Sequence, residues 1–305
     1  MGRPFGTRER DGVLETLLFC AWRQSDSNSD PRYFSVDWHT LNLETREISP
    51  NLGTMPPEAR QGTSAVAWLN RVYVLGGCCS RDPSCPDGVM NKTHFHNSVF
   101  CFDFDQPHRG WKAAPPMLFP RMNPIVVAAK GKIYAFGGSD FGHFAQVFDV
   151  SGSSWEVLSP PLDLDMDHGR VTYPVLFDSP RSRILLNFGG HLNAYHVDDK
   201  SWECINENLD FPPSEAALVD NVLYYLVDED LTGAYCFSDR ECSLKAYDVV
   251  ENKMLPVKWL SKFSVDVSNF SRLYHLGNDQ FLFHSNAGIV RFMALNEGIG
   301  DGGRQ

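Results

Sequence analysis

Three segments of the chain superimpose: Asn70-Arg-Val-Tyr-Val-Leu-Gly-Gly77, Gly131-Lys-Ile-Tyr-Ala-Phe-Gly-Gly138 and Ser182-Arg-Ile-Leu-Leu-Asn-Phe-Gly-Gly190. Such a repeat constrains a fold more tightly than composition does. Each copy is one supersecondary unit that buries its apolar faces only against its neighbours. Each reads as a short apolar strand ending in paired glycines. Degenerate copies follow at Asn221–Asp228 and Asp279–Ser285, and Leu14–Trp22 fits the same strand without the glycines.

Two further features travel with the repeat. Phe102-Asp-Phe104 is followed by Trp111, Val147-Phe-Asp-Val150 by Trp155, and Tyr195-His-Val197 by Trp202. From Asp149 to Trp155 and from His196 to Trp202 is six positions, and the same interval links Asp248 to Met254 and Asn42 to Ile48. A constant interval predicts a hairpin with a short polar turn, such as Ser151–Ser154, leading to a strand that presents a large apolar residue. Upstream, Arg60 and Arg121 each stand 17 positions before Gly77 and Gly138; Arg170 stands 20 before Gly190, the extra three falling in the polar turn 178–181. A unit is therefore four short strands: Arg-led, Gly-Gly-terminated, Tyr-Asp and Trp-led. At roughly 50 residues per unit, 305 residues hold about six.

The paired glycines, the Tyr and the Trp at these spacings resemble the kelch repeat, over roughly Val13 to Leu295. The copies are most similar to the kelch domain of plant F-box/kelch-repeat proteins, although no helical F-box stretch precedes the first copy. The resemblance implies an all-β fold, a kelch-type β-propeller of six four-stranded blades at 13–50, 60–116, 121–161, 170–208, 211–260 and 268–296. Blades two to four carry every diagnostic residue. Blade one lacks an evident first strand and blade six an evident last one, so the chain ends are expected to meet in a composite closure. Residues 1–12 are read as an N-terminal extension, 13–296 as a single propeller domain, and 297–305 as a flexible tail. The glycines are expected to allow close approach and positive φ, and the aromatics to fill the wedges between sheets.

Charge and motifs exclude several classes. With 27 basic and 38 acidic residues the net charge is −11, which leaves no basic excess for a nucleic-acid backbone. No run of 18 apolar residues spans a bilayer, and Leu17–Trp22 is too short for a secretory core. Eight cysteines in 305 residues suit a reducing compartment, so a cytoplasmic location is expected, with the nucleus as an alternative. There is no phosphate-binding Gly-x-x-x-x-Gly-Lys-Ser/Thr loop, no Gly-x-Ser-x-Gly elbow and no His-Glu-x-x-His pair. Asp163-Leu-Asp165-Met-Asp167 starts like a calcium loop, but His168 and Pro174 occupy the positions of its Gly and Glu. Cys78, Cys79 and Cys85, with His94 and His96, gather soft ligands without zinc spacing and read as an ordinary long loop. The Glu-x3-Asp-x3-Asp run that holds iron in the related plant specifier proteins is missing. Neither metal nor cofactor is expected.

In kelch propellers, the loops after the Gly-Gly strands and those leading into the Arg strands converge on one face. The resemblance therefore places Arg60, Arg121, Arg170, Asp140, Phe141, His143, His191 and His284 around a mouth. The arginines favour an anionic group, though an Arg at this position also braces the neighbouring blade. The preferred reading is a monomeric binding module that recognises a protein or peptide, acidic in character, through these loops. The alternative is a small-molecule enzyme (lyase, isomerase or cyclase) acting on an anionic or aromatic metabolite. Its His191 or His284 would serve as acid or base, with Arg121 and Arg170 as anion clamp. A metabolite-sensing scaffold is a third reading.

Overall fold

The six-position interval closes into the expected hairpins. Phe148 pairs directly with Trp155, Tyr195 with Trp202 and Tyr247 with Met254, and Leu41 bridges Ile48 at the same spacing. The acid of the signature holds the turn: Asp149 Oδ1 accepts from the Ser151 and Gly152 amides at 2.9 Å, and Asp248 Oδ1 from Val250 and Glu251 at 2.8 and 2.9 Å. Such side-chain to backbone bonds fix the turn before the next strand begins. They also draw the Asp149 carboxyl below its ordinary range, the Ser151 hydroxyl contributing most.

The computed structural model describes residues 4–10, 13–24, 34–42, 45, 47–49, 61–79, 94–139, 143–161, 171–207, 209, 216–228, 242–259, 272–277, 280–285 and 288–296, those of 4–37 and 283–296 by backbone alone. They contain no α-helix and fall into antiparallel sheets in chain order. The chain divides into two compact units, one of Met1–Arg10 and Glu15–Val171, the other of Asp11–Leu14 and Thr172–Gln305.

In the first unit, β1 (Pro4–Arg10), β2 (Val13–Gln24) and β3 (Phe34–Asn42) form sheet one. Sheet two orders β4 (Gln61–Trp68), β5 (Arg71–Cys79), β7 (Val99–Asp103) and β8 (Lys112–Ala114), with the short β6 (His94–Phe95) also on β5. Sheet three is β9 (Ile125–Ala129), β10 (Lys132–Phe136), β11 (Ala145–Asp149) and β12 (Ser154–Leu158).

The second unit repeats the scheme. Sheet four is β13 (Val171–Asp178), β14 (Arg183–Phe188), β15 (His191–His196) and β16 (Ser201–Asn206). Sheet five is β17 (Ala217–Val219), β18 (Val222–Asp228), β19 (Cys242–Asp248) and β20 (Lys253–Leu255). The last sheet takes β21 (Val257–Trp259), β22 (Arg272–Gly277), β23 (Gln280–Ser285) and β24 (Gly288–Asn296) in the order β21-β24-β23-β22.

Sheets buried on both faces explain the near-continuous apolar strands: all six residues of β14 are buried. Trp38, Ala65, Val72, Val74 and Phe100 form one core with Trp111 against it. Tyr73, Leu75, Val99, Met117, Ile133 and Phe148 form the next, backed by Trp155. In the second unit, Leu185, Leu192, Leu223 and Tyr247 join sheets four and five, and Tyr224, Leu226 and Phe281 join sheet five to the last. Each buried Leu or Phe contributes roughly 2 kcal/mol by removal from water. Four-stranded meanders packed through aromatic wedges are the architecture of a kelch-type β-propeller.

Several expectations are corrected. The segment read as an N-terminal extension, 1–12, supplies β1 and completes sheet one from the front. The missing strand of the last sheet is β21, from a stretch assigned by sequence to blade five. Each end sheet draws its described strands from nearby stretches of the chain. The sheets are not uniformly four-stranded: sheet one has three strands plus the Leu41–Ile48 bridge, and sheet two has five.

Candidate interaction site

The paired glycines act through close approach. A Cβ on Gly76 would overlap the Arg121 carbonyl oxygen, and one on Gly138 that of Met122. Both have positive φ, +72° and +68°. Into the space left free runs the segment 115–124, which links β8 to β9. Six of its ten residues are tied down by hydrogen bonds. Met117 N donates to Asn97 O at 2.8 Å, Arg121 N to His96 O at 3.0 Å, Gly77 N to Arg121 O at 2.8 Å, and Met122 N to Gly138 O at 2.7 Å. Gln146, fully buried on β11, grips Phe119 twice: its amide donates to Phe119 O at 2.9 Å and its Oε1 accepts from Phe119 N at 3.0 Å.

This clamp presents an aromatic shelf. The Phe119 ring stacks on His143 with centroids 3.4 Å apart and planes within 14°. Beside it Leu118 is half exposed. Function on loops depends on such rigid support, because an ordered loop loses less entropy on binding.

Arg121 departs from its expected place. It does not line an open mouth: it is fully buried and donates through Nη1 to the Gly137 carbonyl. This is the bracing role, joining the segment between sheets two and three to the glycine end of β10. Nε and Nη2 have no hydrogen-bond partner among the described residues. Burial lowers its pKa to about 10.

His143 is thus brought to the clamped segment. Arg60, Asp140, Phe141 and Arg170 lie outside the described residues. His191 is not in a loop. Gly189 and Gly190, both at positive φ, are themselves a two-residue turn, and His191 opens β15 opposite Phe188, half buried. Its carbonyl accepts from Asn193 Nδ2 at 2.9 Å. His284 likewise lies within β23, opposite Arg272 and Ile289, where a loop was expected. In the soft-ligand cluster Cys78 is buried, which pushes its thiol pKa up, while Cys85 lies outside the described residues.

Sequence reasoning missed Phe119, Leu118 and Gln146. Signals existed for each. Leu118-Phe119 is an apolar pair between Pro116 and Pro120 in a connection, and Gln146 is a lone amide inside the apolar run 144–148. A buried amide in such a run requires a polar partner.

The meanders and their glycine contacts define the class, a kelch-type β-propeller. No protein-family model matches the chain. Among curated proteins, the F-box/kelch-repeat protein At4g19870 of Arabidopsis thaliana is 28% identical over 167 residues, 53% of this chain and 36% of that protein. The F-box/kelch-repeat protein At5g39560 of the same plant is 24% identical over 270 residues, 77% and 60% of the two chains. A third, At2g29830, is 23% identical over 277 residues, 86% and 65%. The matched part of the chain thus spans about a third to two thirds of these relatives' lengths. The chain is related to the kelch-repeat proteins.

Proposed function

We propose that the module holds an acidic peptide or protein segment at the glycine ends of sheets two and three, on the shelf made by Phe119 and His143. One observation carries this reading: a partly exposed apolar and aromatic surface on a segment held by hydrogen bonds at six of its ten residues. Such a surface is pre-organised, and stacked rings supply contact area at low entropic cost. The buried cation of Arg121 gives the neighbourhood a positive character that favours carboxylates. Arg60, Asp140, Phe141 and Arg170, which flank the shelf in the repeat pattern, enter the proposal as further ligand contacts, and a reducing, cytoplasmic setting belongs to it.

The enzyme reading would instead need Arg121, which is fully buried, and His191 and His284, which stand in paired strands, to reach a shared pocket. The test is selection from a displayed peptide library by the immobilised full chain. Acidic peptides carrying an apolar residue should be enriched, and Phe119→Ala and His143→Ala should each weaken the selected peptides at least about tenfold. Enrichment without acidic character, or binding by both variants as tight as by the native chain, would overturn the proposal.

A further inference from the structure

At the other end of β5, roughly 20 Å along the strand from the glycines, a cleft of about 310 Å³ opens between β7–β8 and the β11–β12 turn. It lies wholly within the first unit. Three cations, Arg71, Arg109 and Lys112, line it against one carboxylate, Asp103, although the chain as a whole carries −11. That carboxylate is already committed. It accepts from Arg71 Nε at 3.1 Å and from the Asp105 amide at 2.9 Å. Arg109 and Lys112 are exposed and form no ion pair among the described residues. The inner wall is apolar: Phe148 is buried beneath Tyr73, ring centroids 6.1 Å apart, with Val150 and Pro115 beside them. The Tyr73 hydroxyl lies against Arg71 and the Cys101 thiol, so a polar group is present at the floor as well.

We propose that this cleft is a second binding site, for a small organic anion: a carboxylate or phosphate monoester on an aromatic body. The uncommitted cations would hold the head group and the Phe148 wall the ring. The volume falls at the small end of ligand pockets, which suits one ring and one head group. Planar guanidinium groups match both head groups, and the apolar wall adds what inorganic anions lack.

The probes are benzoate, phenyl phosphate, inorganic phosphate and benzylamine, titrated calorimetrically into the full chain at low salt. Cys101 alkylation by iodoacetamide is followed in parallel by mass spectrometry, since that thiol lines the cleft. Benzoate or phenyl phosphate should bind and slow Cys101 alkylation, and the tighter of the two names the head group. The double variant Arg109→Ala/Lys112→Ala, at exposed positions, should lose at least about tenfold in affinity. Unchanged affinity in that variant, binding without Cys101 protection, or benzylamine binding as well as the anions would sink the site. Inorganic phosphate matching phenyl phosphate would remove its aromatic half. Loss of peptide binding at Phe119 leaves all these readouts untouched.

Discussion

The glycines of this chain do different work at equal letter cost. Gly138 has φ +68° and its missing Cβ makes room for the Met122 carbonyl, whereas Gly131, at φ +78°, has nothing within 4 Å of where a Cβ would stand. Left-handed backbone alone costs an alanine about 1–2 kcal/mol. Gly131→Ala should therefore lose that much, and Gly138→Ala more than about 3 kcal/mol, because a backbone oxygen must also move. Urea denaturation of the two variants measures the gap; equal losses would remove close approach as the reason for the pair. Arg121 shows the limit of reading residues from spacing. Its position in the repeat was legible, but its burial depends on the segment 115–124 folding over it, which no interval records. The desolvated guanidinium costs about 3 kcal/mol while charged, from the drop in its pKa. That cost is present below pH about 10 and relieved as pH rises through the folded pKa, since the unfolded chain then binds more protons.

At the scale of elements, the hairpins were legible because strand pairing has a period of two and a turn of fixed length. An Asp six positions before a Trp therefore fixes which side chains face each other. The connections were not legible. Phe119 owes its place to Gln146, a contact 27 residues distant in sequence. Gln146→Leu should free two buried backbone groups of Phe119 and destabilise the protein by about 2–4 kcal/mol. The sharper readout is hydrogen exchange: the Phe119 amide should exchange faster relative to those of β10, as the clamp opens locally. An unchanged Phe119 amide would mean that the remaining bonds of the segment hold it alone. The strand positions of His191 and His284 were not legible for a related reason. Where a glycine pair ends a strand, sequence does not say whether the chain departs into a loop or reverses at once. In sheet four it reverses.

For the whole molecule, strand order matters more than strand count. β24 pairs with β23 on one side and β21 on the other, Gln280 facing Met293 and Val257 facing Asn296. Ending the chain at Asn296 keeps every described pairing, so its thermal midpoint should match the full chain within about 2 °C. Ending it at Ser285 removes β24, leaving β21 without its partner and β23 paired only with β22, and the product should be insoluble or unfolded by circular dichroism. A folded, soluble 285-residue product would show that the last sheet is dispensable. Repeat and class were readable from three copies of one strand, while the two ends of the chain were not, because β1 carries none of the repeat's letters and β21 lies upstream of its own sheet.

The reversal at Gly189–Gly190 has a practical corollary. After the glycines of sheets two and three the next long strand begins at Val99 and at Ala145, many positions further on in one copy and few in the other. Each of these copies leaves a socket whose span in sequence differs while the strand pairing stays the same. Sheet four offers no such socket: Phe188 faces His191 across a two-residue turn, and any graft there must first unzip the hairpin. A new recognition segment meant to leave strand pairing intact belongs in the second or third copy, not in the fourth.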